Sequence, residues 1–459
     1  MSVDRPDEGQ PRVVVVGGGL AGMAASLACA DAGLDVTLLE AHKWLGGATS
    51  SFRRDGLTID TGQHVFLRCC TSYLAFLRRV GTADRADLQP RLDIPVLSPG
   101  GQTARLTRNG LPAPLHLGAA LARYRHLSPA DRVRSIRAVQ ALRRVDPRDP
   151  ATDGQTFGAW LAARGQSQRS IAALWDLIGL PTLNLPADQA SLALAAKVFR
   201  TGLLERADAA DVGVPMIPLA DLHGVPALQV LRAAGADVRL GVKATAVDAD
   251  ADGVRGVALQ DDLVPADAVI VAVPNDRVSS LLPPGAVPDP EAFGKLGASP
   301  IVNVHVVYDR PVTRLRFAAA VDSPVQWVFD RTGSAGLEEG QYLAISLSGA
   351  DRYVDRSVQD LRAEFVPALA ALLPNAEGAR VERFLVTRER TATFRQAPGT
   401  ARLRPGSRTA TPRLFLAGAW TDTGWPATME GAVRSGVRAA RDAMLALGRT
   451  ERLPAEVAA

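Results

Sequence analysis

Cysteine is scarce in this chain: Cys29, Cys69 and Cys70 are the three it has in 459 residues. Three cysteines, two of them adjacent, build no disulfide framework, which excludes a small secreted scaffold and fits a reducing cytoplasm. Lysine is nearly as rare, at Lys43, Lys197, Lys243 and Lys295, so the positive charge is almost all arginine. A formal net charge of +4 leaves little excess for a dedicated nucleic-acid binder. No internal repeat, low-complexity tract or metal-ligand spacing is present, so no metal is expected. The opening, residues 1–12, carries Asp4, Asp7 and Glu8 and lacks the basic-then-apolar order of a signal peptide. One uncharged stretch, 13–30, approaches the length of a membrane span, but Gly17, Gly18, Gly19 and Gly22 interrupt it.

With 47% hydrophobic and 22% charged residues the composition is that of a globular protein. At roughly 100–200 residues per domain the length allows two or three domains. Arg12–Val16 is a β-branched apolar run, a buried strand; Ala21–Ala32 favours a helix ended by Gly33; Asp35–Leu39 is a second strand. Strand, glycine turn, helix and strand make a βαβ unit and so a parallel sheet. Further strands are expected at Asp237–Leu240, Val254–Leu259, Ala268–Val273 and Arg413–Ala417, and a long helix at Glu430–Leu447. Between them, Leu111–Glu205 reads as helical, and Ile301–Tyr308, Val325–Phe329 and Tyr342–Leu347 as a separate set of strands. A nucleotide-type fold interrupted twice follows: nucleotide segments at 1–90, 206–290 and 380–459, and substrate segments at 91–205 and 291–379.

Gly17, Gly19 and Gly22 form G-x-G-x-x-G after a strand and at the start of a helix, the context that gives this motif its meaning. Gly17 permits the tight turn, Gly19 lets a pyrophosphate approach the backbone, and Gly22 lets helix and strand pack closely. Free N–H groups at the helix start attract the phosphates. Glu40 closes the second strand, where a carboxylate accepts from ribose hydroxyls and disfavours a 2′-phosphate. A second glycine turn, Leu414–Gly418, leads to a helix start at Met429–Ala432. Two such sites far apart in sequence suit a long bipartite cofactor, FAD, with the second helix dipole beside the N1–O2 edge of the flavin.

The residues then become specific. The segments at 17–40, 59–69 (IDTGQHVFLRC), 267–278, 300–312, 326–331 (QWVFDR), 388–394 (RERTATF) and 414–436 (LFLAGAWTDTGWPATMEGAVRSG) resemble the bacterial hydroxysqualene dehydroxylases, also called squalene-associated FAD-dependent desaturases. These belong to the wider amine oxidase and phytoene desaturase superfamily. The resemblance spans nearly the whole chain. It implies an α/β protein with a glutathione-reductase-type FAD-binding Rossmann domain and a discontinuous α+β substrate domain. It also implies reductive removal of the hydroxyl of hydroxysqualene to give squalene, in bacterial squalene and hopanoid supply. Cofactor contacts are expected at Gly17, Gly19, Leu20, Ala21, Gly22, Glu40, Gly46, Gly47, Gly62, Gln63, Ala244, Gly418, Met429 and Ala432. The chain departs from the family pattern at His42 and Trp44, where an Arg is common, and at Ala419, where an Asp is common. It departs from the amine oxidases at Thr428, in place of their cage Tyr, and at Asn303, in place of their Lys. Two alternatives share the fold: a carotenoid desaturase or isomerase working on a related polyene, and a flavin-free binder of prenylated partners, which the intact glycines and Glu40 oppose.

Dehydroxylation of an allylic alcohol requires C–O ionisation, loss of water and delivery of hydride. Hydroxide leaves poorly, so a proton donor is expected. His64 is the first candidate and Asp422, in an apolar site that raises its pKa, the second. Aromatic faces stabilise a cation, which makes Trp327, Trp420 and Trp425 candidate cavity residues. Asn184 is expected to cap a loop. The substrate that the resemblance implies is a hydrophobic C30 isoprenoid, expected to come from a bilayer. Residues 111–150 hold eight arginines against three aspartates, and Val133, Ile136, Val139 and Leu142 recur along a helix started by Ser128-Pro129. Such a helix lies in an anionic membrane surface, so peripheral attachment to the inner face of the cell membrane is expected.

Overall fold

The computed structural model describes residues 10–449; the acidic opening expected at residues 4–8 lies outside the described residues. Val13 and Val15 point to one side of the first strand, Arg12–Val16, and Val14 and Val16 to the other, and all four are buried. A strand covered on both faces reads as an unbroken apolar run, as parallel strands do. It sits at the centre of a five-stranded sheet in the order Asp237–Leu240, Asp35–Glu40, Arg12–Val16, Ala268–Val271, Leu414–Leu416, with every neighbour parallel.

The helix Leu20–Asp31 is buried on all sides from Leu20 to Cys29. It lies between this sheet and the final helix, Met429–Ala446. A Cβ on Gly436 would stand 2.0 Å from the Ala21 carbonyl oxygen, so the two helices cross with their backbones in contact. The uncharged stretch 13–30 is therefore strand, turn and core helix. Among the described residues no helix is long and apolar enough to cross a membrane.

The second sheet has seven strands in the order Val381–Thr393, Ser299–Tyr308, Gln341–Leu347, Trp327–Asp330, Phe317–Ala320, Asp93–Ser98, Gln102–Thr107. Two expected boundaries move. Val381–Thr393 is an edge strand of this sheet although it follows the boundary placed at 380. The hairpin 93–107 belongs to the sheet rather than to the helical segment. Both pair with partners distant in sequence, which local pattern does not reveal. One face of the sheet, with Val302, Val304, Val306, Leu343 and Ile345, buries the helix Val358–Leu372 through Leu361, Phe365 and Leu369. The opposite face carries Asn303, His305, Tyr342, Trp327 and Phe329 and turns toward the nucleotide domain and the helical segment.

The helical segment runs from about 115 to 204 in short helices. Ser128 caps Pro129–Leu142, its Oγ accepting from the Asp131 N–H at 3.1 Å. The expected apolar stripe of that helix is divided. Its buried positions are Asp131, Ser135, Ala138 and Leu142, while Val133 and Ile136 are 51% and 46% exposed among Arg134, Arg137, Arg143 and Arg144.

Candidate active site

Gly17 has φ +108, and its N–H bonds the Leu39 carbonyl at 2.8 Å, which pins the turn to the neighbouring strand. A Cβ on Gly22 would stand 1.8 Å from the Gly17 carbonyl oxygen, so this position admits only glycine. Gly19 differs, because a Cβ there meets nothing within 4 Å. The space in front of Gly19 is open, and the N–H groups of Leu20, Ala21 and Gly22 have no acceptor among the described residues. Gly46 and Gly47 close the side: Gly46 N–H bonds the Gly18 carbonyl at 2.9 Å, and a Cβ on Gly47 would lie 3.1 Å from Gly19 Cα.

Glu40 is 7% exposed at the end of its strand. It accepts from Gly18 N–H at 2.6 Å and His42 N–H at 2.7 Å, and His42 Nδ1 lies 2.8 Å away. The His42 ring leans on Trp44, with centroids 5.4 Å apart. These two residues thus brace the carboxylate from the positions where the family pattern places an arginine. Ala244 follows the next strand, and its N–H and C=O make no hydrogen bond among the described residues. An open phosphate cradle, a braced acid for ribose and a free peptide edge fit an adenine dinucleotide.

The second glycine turn lies alongside. Gly418 N–H bonds Ser435 Oγ at 2.8 Å. Thr428 caps the final helix, its Oγ1 accepting from Gly431 N–H at 3.1 Å and its carbonyl accepting from Ala432 N–H at 2.9 Å. Ala432 therefore has no free N–H for a cofactor. The N–H groups left open at this helix start are those of Met429 and Glu430. Glu430 is fully buried and turns its carboxylate away, to Tyr73 N–H at 2.7 Å and Arg434 Nε at 2.6 Å. Gln63, whose buried Nε2 has no partner, adds an unpaired donor in the loop 61–64.

That loop meets the seven-stranded sheet. Asn303 Nδ2 donates to the Thr61 carbonyl and to Thr387 Oγ1, both at 3.3 Å, and its buried Oδ1 has no partner. His305 is tied to Tyr342 Oη at 2.6 Å and to Thr387 Oγ1 at 3.1 Å. Asp60 and Arg331, 5% and 6% exposed, pair at 2.6 Å and lock the loop to the sheet. His64 is half-buried, with Nδ1 3.2 Å from the Gly62 carbonyl oxygen. Burial pushes its pKa down, against a smaller upward effect of that carbonyl and of Asp60. The carbonyl can only accept, so Nδ1 carries the hydrogen of this bond. Nε2 has no hydrogen-bond partner among the described residues.

Asp422 differs from expectation. It is exposed, not enclosed by apolar side chains, and its Oδ1 accepts from Gly424 N–H at 3.0 Å in a turn. Trp420 is core: 5% exposed, it bonds the Val273 carbonyl through Nε1 at 2.9 Å and packs edge-on against Phe293. Trp425 is half-buried between Lys197 Nζ, 4.9 Å from its ring centroid, and the Arg434 guanidinium at 5.0 Å. Trp327 remains on the inner sheet face, stacked with Phe317 and Phe329. Asn184 is the loop cap expected: in the left-handed region at φ +53, it accepts from Gly349 N–H at 2.7 Å and donates to the Ser299 carbonyl at 2.9 Å. Sequence reading missed Arg331, Asn303's orphaned oxygen and Glu389, the last a half-buried carboxyl on the inner face whose pKa burial raises. Arg331 and Glu389 both stand inside motifs it had already singled out, QWVFDR and RERTATF.

The family model for flavin-containing amine oxidoreductases matches residues 20–444. The chain is 32% identical to the hydroxysqualene dehydroxylase of Rhodopseudomonas palustris over 448 residues, covering 95% of this chain and 99% of that protein. It is 26% identical to a zeta-carotene desaturase of Solanum lycopersicum, covering 93% of this chain and 80% of that protein. Among solved structures, a putrescine oxidase variant superposes with a TM-score of 0.71 at 21% identity, covering 95% of this chain and 99% of that one.

Proposed function

The chain belongs to the flavin-containing amine oxidoreductases and, within them, to the hydroxysqualene dehydroxylase family, and from that premise we propose that it removes the hydroxyl of hydroxysqualene reductively, giving squalene. It is an FAD-dependent oxidoreductase. The observation that carries the substrate reading is the near-complete alignment with a relative of that name at 32% identity. The inner sheet face supports it: Phe317, Trp327 and Phe329 stack there, and apolar side chains of the helical segment cover them. Such a surface suits a hydrocarbon and disfavours a charged amine.

Bound FAD, in its reduced form, supplies the hydride. The N–H groups of Leu20, Ala21 and Gly22 would hold its pyrophosphate, Glu40 its ribose, Ala244 its adenine, and the open N–H groups at Met429 and Glu430 its ring edge. The aromatic stack favours a delocalised cation and keeps water from it.

The helical segment serves delivery. Leu111, Leu115, Val133 and Ile136 are 50%, 60%, 51% and 46% exposed, in the same stretch as the surplus arginines. This combination supports peripheral attachment to an anionic membrane surface, from which the substrate enters. The test is anaerobic incubation of the FAD-loaded, chemically reduced protein with hydroxysqualene and, separately, of the oxidised protein with zeta-carotene or phytoene. Squalene from the first sustains the reading. Desaturated product from the second, with no squalene from the first, replaces it with the polyene desaturase.

A further inference from the structure

Glu389 lies in the edge strand Val381–Thr393, paired across the ladder with Ile301. Thr387, two residues earlier, bonds both Asn303 and His305, which turns this face of the strand toward the loop 61–64. Side chains two apart on a strand share a face, and the ladder's irregularity lies beyond Glu389, between the Ile301 and Ser299 pairs. The flanking arginines are occupied elsewhere: Arg388 Nη2 donates to the Arg356 carbonyl and Arg390 Nη2 to Asp355, both at 2.7 Å. Among the described residues the Glu389 side chain has no ion pair and no hydrogen bond. The strand packed against it presents Ile301 and Asn303, and His305, one pair further on, is tied between Tyr342 and Thr387. Burial without a counter-ion raises its pKa from the ordinary carboxylate value.

Asn303 stands diagonally across the ladder from Glu389, a separation of about 7 Å for such pairs. Its Nδ2 is committed to a carbonyl that can only accept, so the orphaned atom is the oxygen, an acceptor with nothing to accept from. A free acid and a free acceptor at this spacing bracket one hydroxyl group.

We propose that Glu389 is the acid that protonates the departing hydroxyl and that Asn303 holds that hydroxyl in place, a proposal that rests on the substrate reading above. Asn303 Oδ1 accepts the hydroxyl hydrogen. Glu389 gives its proton to the hydroxyl oxygen, the allylic C–O bond breaks with both electrons passing to oxygen, and water leaves. The carbon gains a hydride, whose two electrons come from the reduced cofactor, and Glu389 regains a proton from solvent. Asp422, the other carboxyl candidate, is exposed in a turn.

The experiment compares wild type with Glu389→Gln and Glu389→Asp in anaerobic single turnover of reduced, FAD-loaded protein with hydroxysqualene over a pH series. Infrared titration of the same proteins without substrate gives a second readout. Squalene formation is expected to slow about a hundredfold or more in Glu389→Gln, the scale of a lost general acid. The wild-type rate falls as pH rises through the titration of Glu389, and this limb is missing from Glu389→Gln and partly restored in Glu389→Asp. A protonated-carboxyl band titrates in wild type and is absent from Glu389→Gln. Equal FAD content and melting temperature show that the variants are folded, and Glu389→Asp, which keeps the acid, covers a fold loss in the amide. Wild type that makes squalene while Glu389→Gln matches it, or an infrared band indifferent to the substitution, overturns the role of Glu389 alone. Wild type that makes no squalene overturns the substrate reading and the role together.

Discussion

Arg331 and Asp60 form an ion pair with Nη2 2.6 Å from Oδ2, and neither side chain is more than 6% exposed. The arginine directly follows the strand Trp327–Asp330 of the substrate sheet; the carboxylate ends the strand Leu57–Asp60, ahead of the loop that carries Gln63 and His64. Asp60 also accepts from Leu219 N–H at 3.0 Å and Ser51 Oγ at 2.6 Å, and Arg331 Nη1 reaches the Pro215 carbonyl at 2.8 Å. Breaking such a buried pair from one side typically costs ~3–5 kcal/mol, because the other charge is left uncompensated. Asp60→Asn is expected to lower stability on this scale in urea unfolding, and Arg331→Met likewise. The double variant is expected to recover part of the loss, and strictly additive losses would contradict the coupling.

Gly19 and Gly22 separate cofactor binding from folding. An added Cβ at Gly22 meets the Gly17 carbonyl at 1.8 Å, whereas at Gly19 it meets only open space. Gly22→Ala is expected to lower both apoprotein stability and flavin content. Gly19→Val is expected to leave the apoprotein melting temperature nearly unchanged while flavin absorbance per protein drops several-fold. A Gly19→Val protein that keeps its full yellow colour contradicts the placement of the pyrophosphate.

His223 and His305 are held neutral by burial, each with its pKa pushed down to about 3. Their rings meet Tyr73 Oη at 2.7 Å and Tyr342 Oη at 2.6 Å. The unfolded chain binds protons on them below its ordinary value of 6.5, and the folded chain does not. Stability is therefore full above that value and falls as pH drops toward the folded one, by up to about 1.4 kcal/mol per pH unit for each histidine. Urea unfolding of wild type and His305→Gln over this range is expected to show a shallower slope for the variant, by about one proton. Parallel slopes would show that the histidine charges in the fold.

Arg137, Arg143 and Arg144 are exposed on the helix that displays Val133 and Ile136. At ~1 kcal/mol for each arginine near an anionic surface, neutralising one weakens vesicle binding about fivefold. Replacing all three with Glu is expected to abolish co-sedimentation with phosphatidylglycerol vesicles, while FAD content stays the same. Unchanged pelleting would leave this surface without a membrane role.

The sequence by itself determined the first βαβ unit, the phosphate turn and Glu40, because all three are local. An apolar β-branched run, three spaced glycines and a helix-forming stretch adjoin one another, and each residue's role depends on its neighbours within about one turn or strand. The second glycine turn and the final helix were legible for the same reason, and the motif at 388–394 was visible without its meaning. Tertiary structure alone decided which side chains face the reaction space. Whether Trp420 lines a cavity or packs in a core, whether Asp422 is enclosed, and which His64 nitrogen is free depend on partners far away in the chain. Glu389 lies opposite Ile301 only once the strand Val381–Thr393 has joined its sheet, and Asp60 meets Arg331 only once the strands Leu57–Asp60 and Trp327–Asp330 have come together. A carboxyl's acidity and an amide's unpaired oxygen follow from desolvation by distant segments, which no local pattern of residues encodes.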